Sequence, residues 1–127
     1  PLLVPLVENG RFRPGDIVIE TVVREYLEPL LETGVDTLIL GCTHYPLLTD
    51  VIAEVCGPGV ELVSAGEESA FELKRLLKAD GLRADENRQG ETAFYVSDRA
   101  DDFEHTASLF LQEDLRHSAR RIDIEQY

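Results

Sequence analysis

The sequence predicts an α/β fold, a parallel sheet with crossover helices. Three observations predict it. Short apolar runs rich in Val, Leu and Ile alternate with longer stretches whose apolar residues recur at helical spacing, the pattern of strand–helix–strand units. Glycines, prolines and polar clusters separate the segments. The stretch GCTHYPLL, residues 41–48, directly follows the apolar run 35–40, so thiol, imidazole and hydroxyl gather where open α/β sheets bind ligands, outside a strand's carboxyl end.

Each element has its own justification. Residues 1–7 form an apolar run that brings Glu8 to a strand end. Residues 16–32 carry Ile17, Val18, Val22, Val23, Leu27, Leu30 and Leu31 as a helical stripe, with Asp16 as N-cap and Gly34 as stop. Pro29 sits inside that stripe and should kink its last turn. Residues 37–40 are a continuous apolar strand, and residues 47–55 return to helix with Pro46 near the start. Gly57-Pro58-Gly59 is a turn before a strand at 60–63. Residues 64–78 form an amphipathic helix with Phe71, Leu73, Leu76 and Leu77 on its apolar side. The polar stretch 79–91 reads as a surface loop, and 92–96 as a β-branched and aromatic strand. Ser97 or Asp98 should cap a helix running to about Leu111, with a last short strand at 121–124.

The totals bound the function. A chain of 127 residues suits one domain or part of a larger protein, and 43% hydrophobic residues can fill a core. A net charge of −13 argues against nucleic acid and against an anionic membrane surface. It leaves room for a small anionic substrate, because helix N-terminal N–H groups override net charge locally. No apolar run reaches the length of a membrane span, and no secretory signal is visible. Two cysteines, one in a site-like setting, fit a reducing cytoplasm better than a disulfide scaffold. The absence of methionine and the start at Pro1 lead us to expect coding sequence upstream.

Cys42 has a plain reading as a buried, inert thiol. Gly41, however, lets the backbone turn and leaves the thiol uncovered, while Thr43 and His44 add polar groups that a structural thiol does not need. A thiol beside an imidazole and near a helix N-terminus can be held partly as thiolate, so Cys42 is read as catalytic. His44 is either a surface histidine or a general acid two residues from the thiol. Glu8 is an ordinary carboxylate unless a neighbouring strand end brings it to His44, where it would keep the imidazolium charged. Thr43 is a turn residue or a holder of a substrate carboxylate. Cys56, one helix away, reads as packing, and His105 and His117 as solvated on helical, polar surroundings. Asp98, Asp101, Asp102 and Glu104 read as helix N-terminal charge and not as a metal site. No Cys/His spacing resembles a zinc site, and no Gly-rich phosphate loop is present.

These residues also carry a resemblance. VDTLILGCTHYPLL closely resembles the second cysteine motif of bacterial glutamate racemases. PLLVPLVE looks like the family's segment ahead of it, LVSAGEESA the stretch after it, and FYVSDRADDFEHTASLFL the family's last strand and helix. The resemblance implies a fold of two similar α/β domains of the Asp/Glu racemase type. Residues 1–64 would be the second part of the middle domain, carrying the second catalytic cysteine. Residues 65–127 would be the return segment completing the first domain. It implies racemisation without cofactor or metal, in which two thiols flank the α-carbon of glutamate. Cys42 would be one acid/base acting on the L-enantiomer, His44 its general-acid neighbour, Glu8 the carboxylate near that histidine and Thr43 a substrate-binding residue. The product would feed peptidoglycan synthesis.

Two departures stand out. The family's first cysteine, and the aspartate near its N-terminus, have no counterpart here, and Cys56 does not match that thiol. Ser64 and Ala65 stand where many members carry Asp-Ser, a change that bears on the domain joint. The expected partners are therefore glutamate, the N-terminal part of the same protein and, as a further option, a second copy of the chain. A related aspartate or other amino-acid racemase, a non-catalytic binding module of the same fold and a redox-sensing thiol protein are the alternatives.

Overall fold

The computed structural model describes residues 2–85 and 87–126; expectations touching Pro1, Glu86 or Tyr127 lie outside them. Contacts divide the chain into two compact units, Pro1–Arg83 and Ala84–Tyr127.

The first unit opens with a correction. The apolar run before Glu8 is not a strand but a short helix, α1 (Leu3–Glu8). A short apolar run cannot be told from a helix by periodicity alone, and tertiary packing decides. Leu3, Leu6 and Val7 fall at helical spacing, Val7 is fully buried, and Leu3 and Leu6 pack against the core. Pro5 is tolerated because the first turn needs no internal N–H donors.

Helix α2 (Ile17–Leu31) follows the sequence pattern. The Asp16 carboxylate accepts the Val18 N–H at 3.0 Å and pairs with the Arg11 guanidinium at 2.7 Å. Gly34, at φ 78°, ends the helix with its N–H on the Leu31 carbonyl at 3.0 Å, a backbone state that glycine adopts without penalty. Ile19 and Val23 turn inward.

Strand β1 (Thr37–Leu40) leads through a 3₁₀ turn (Tyr45–Leu48) into α3 (Thr49–Cys56), then β2 (Glu61–Ser64) and α4 (Ala65–Ala79). β1 and β2 pair in parallel, Thr37 opposite Glu61 and Leu40 opposite Ser64, so the turn and α3 make the crossover. Val7, Ile19, Val23, Leu40, Leu48, Val51 and Ile52 form one buried cluster. Burying such side chains stabilises a fold by about 1.5–3 kcal/mol each.

Helix α4 contributes no buried residue. Ser64 caps it, its hydroxyl accepting the Glu67 N–H at 3.3 Å. Phe71, Leu73 and Leu76 remain 57%, 56% and 43% exposed. The expected apolar side is present, with Leu77 half-buried and the other three exposed among the described residues.

The second unit repeats the parallel pairing. β3 (Phe94–Val96), α5 (Ala100–Leu111) and β4 (Ala119–Arg121) form a crossover in which Phe94 pairs with Ala119 and Val96 with Arg121. A 3₁₀ turn (Ile124–Gln126) follows; the strand expected at 121–124 is found two residues earlier, at Ala119–Arg121. The strand lies earlier because the Glu104 carboxylate holds the backbone there. It accepts the N–H groups of His117 and Ala119, each at 2.9 Å.

Glu104 is thus buried, 6% exposed, and its carboxylate serves the backbone ahead of β4 and is not the helix N-terminal charge read from the sequence. His117 lies in the loop ahead of β4 and not on a helix, at φ 65°. Neither Ser97 nor Asp98 caps α5. Arg99 holds the N-cap position without a side-chain bond, and Asp101 and Asp102 occupy the first turn, where the helix dipole favours them.

Candidate active site

The site grows out of the register of β1 and β2. Because Leu40 lies opposite Ser64, the two strands end side by side, and the segment after β1 meets the first turn of α4. Gly41 turns the chain tightly, its N–H reaching the Ile39 carbonyl at 3.0 Å. The next residues coil into the 3₁₀ turn, with Tyr45 N–H on the Cys42 carbonyl at 3.3 Å and Pro46 in its first positions. This compact wrapping leaves Cys42 half-buried and Thr43 exposed beside it.

Cys42 and Thr43 line an open depression of about 420 Å³. Leu40, Gly41 and Pro46 complete one wall, and Ala65, Gly66 and Ser69 of α4 form the other. None of these α4 residues is read as a site residue from the sequence. The signal lay in the parallel pairing, since a helix that follows the second strand must start beside the loop that follows the first.

His44 is the most tightly placed polar group here. Its Nε2 lies 3.4 Å from Glu8 Oε1, with the histidine side chain 19% and the glutamate 51% exposed. Its Nδ1 lies 3.1 Å from Thr43 Oγ1. Glu8 reaches the ring from the last residue of α1, not from a strand end. The structure therefore brings Glu8, Thr43 and His44 together next to Cys42, by a different element than the sequence reading used.

Cys56 does not join them. It is half-buried at the end of α3 against the core, and burial pushes its thiol pKa up; a thiol kept protonated and packed is a poor base. Among the described residues, no three or more His, Cys, Asp or Glu side chains are grouped to hold a metal ion. No helix there is long and apolar enough to cross a membrane.

No family model matches the chain, but whole sequences and solved structures do. A glutamate racemase of Exiguobacterium sibiricum is 45% identical over 111 residues, covering 87% of this chain. The structure of glutamate racemase from Thermus thermophilus in complex with beta-chloro-D-alanine superposes over 100% of this chain, with a TM-score of 0.85 and 38% identity. That of the Francisella tularensis enzyme in complex with D-glutamate covers 99%, with a TM-score of 0.82 and 29% identity.

The chain belongs to the glutamate racemase family.

It spans 40% of the length of the Exiguobacterium relative, and 47% and 46% of the two solved chains.

Proposed function

We propose that the complete protein interconverts L- and D-glutamate by acid/base chemistry at the α-carbon without a cofactor, and that this chain supplies one of two opposed thiols. Cys42 is the acid/base on the L side. As thiolate it takes the α-proton, and a thiol on the opposite face, from sequence outside this chain, returns one to give the D-enantiomer. His44 is its general-acid neighbour, Glu8 holds the imidazole, and Thr43 helps to bind substrate. Residues 1–64 form the second part of a middle domain and 65–127 the return segment of the first. The D-glutamate formed serves peptidoglycan synthesis in the cytoplasm.

The observation that carries this reading is the set Cys42, Thr43 and His44 after the end of β1, with Glu8 of α1 at 3.4 Å from Nε2 of His44, in a chain whose relatives are glutamate racemases. Two groups on opposite faces are the simplest route to inversion of a carbon acid. Because the α-proton is far less acidic than any side chain, the closed site must exclude water and aim fixed donors at the developing charge. The D-glutamate-bound Francisella neighbour favours glutamate over aspartate as substrate.

The test is optical. Followed by circular dichroism, the full-length protein should racemise either enantiomer, and Cys42→Ala should abolish the signal change. Near-normal turnover in that variant would sink the assignment.

A further inference from the structure

Strand β1 pairs with β2 on one side, and among the described residues nothing pairs with its other edge. An apolar groove of about 210 Å³ runs along that edge. Its placement follows from its lining. Leu38, Ile39 and Leu40 are consecutive in β1, and consecutive strand side chains point to opposite faces. A hollow that touches all three therefore lies beside the strand and not over one face. No residue of β2 lines it, so it follows the free edge. Its roof is one side of α2, where Val23, Tyr26, Leu27 and Leu30 recur at helical spacing. The helix thus overhangs the sheet beyond β1. Leu30 and Ile39 stay 45% and 66% exposed there. Proteins that leave a strand edge open ordinarily blunt it with lysine or proline, and Thr37–Leu40 carries neither.

We propose that in the complete protein a β-strand from sequence outside these 127 residues adds to the free edge of β1 and fills the groove under α2. This rests on the reading that the chain is part of a longer racemase, and not on the chemistry at Cys42. The chain superposes in full on the Thermus racemase while spanning 47% of it, so a protein of this fold has more than half its length to draw the occupant from. The N–H and C=O groups along a strand edge are met in full by another strand. Its apolar side chains meet a lining of aliphatic residues and two tyrosines, without a charge. The added strand also braces the site from behind. Leu40 lines both the groove and the Cys42 depression. Tyr45, another lining residue of the groove, gives its N–H to the Cys42 carbonyl at 3.3 Å.

The test uses the complete protein. Amide exchange followed by NMR reads the N–H groups of Leu38, Ile39 and Leu40 in the wild type. With both edges of β1 paired, all three should exchange at least about 100-fold more slowly than in an unstructured peptide. A benzophenone side chain placed at Leu30 should, on irradiation, crosslink to a peptide from outside residues 1–127 and leave the protein monomeric on a denaturing gel. Fast exchange at any of the three amides, or a crosslink confined to residues 1–127, would overturn the proposal. A dimer band would overturn it too, by assigning the groove to a second copy. Ile39→Lys gives a further reading if the benzophenone variant does not fold. Its denaturation midpoint falls if the edge is covered and matches wild type if the edge faces water. None of these readouts uses turnover. A wild type that racemises no glutamate would overturn the function proposed above, while exchange and crosslinking would still decide this proposal.

Discussion

Glu8 and Glu104 show how one residue type acquires opposite duties from its surroundings. Glu8 is half-exposed and offers its charge to His44. Glu104 is buried and spends both oxygens on backbone N–H groups. Those donors, Ala119 first and then His117, hold the Glu104 carboxyl below its ordinary value of 4.5. A carboxyl depressed by folding contributes stability above its unfolded pKa and loses it as pH falls through the folded value. In the complete protein, Glu104→Gln should therefore lower Tm at pH 7, because an amide cannot accept at both atoms. That gap should narrow as pH falls below 4.5 and close once the wild-type carboxyl protonates. Thermal melts across pH check this, and a gap unchanged from pH 7 to pH 3 would contradict it. The Cys42–Thr43–His44 cluster was legible in the sequence because its members are neighbours in the chain. Glu104's clasp was not, since its partners lie 13 and 15 residues away and are backbone groups without a side-chain signature.

At the scale of elements, the long periodic stretches were readable and the short ones were not. Helix α2 announces itself through its stripe, its Asp16 cap and Gly34. The six-residue α1 has too few residues to reveal a period, so its state depends on what it packs against. The start of α5 was misplaced because Ser97 and Asp98 are favourable caps by type, yet the helix begins after Arg99. Two element-level changes follow. Leu48, fully buried where the 3₁₀ turn meets α3, anchors the segment that presents Cys42. Leu48→Ala should cost about 2–5 kcal/mol in denaturant unfolding. Ser64→Ala should cost about 0.5–2 kcal/mol by removing the α4 cap. A leucine variant as stable as wild type would mean that this anchor is not packed as described.

At the scale of the whole molecule, each parallel sheet has two strands among the described residues, and α4 presents Phe71, Leu73 and Leu76 to solvent. Contacts within the chain group α4 with the first unit because β2 runs directly into it. An apolar helix face of this kind is ordinarily an interface. The chain spans 40% of its Exiguobacterium relative's length, and we expect the remaining sequence to cover that face. The 127-residue chain alone should therefore bind a hydrophobic dye and elute above its 14.2 kDa monomer mass in light-scattering chromatography. A monodisperse, dye-silent monomer would contradict this. The alternation of strand and helix made the α/β class legible.

The most direct measurement is proton NMR of the full-length protein with L- and with D-glutamate in D2O, following the α-hydrogen signal. The account predicts exchange coupled to inversion from either enantiomer, lost in Cys42→Ala. A folded protein that exchanges neither enantiomer, or a Cys42→Ala variant that still inverts both, would contradict it.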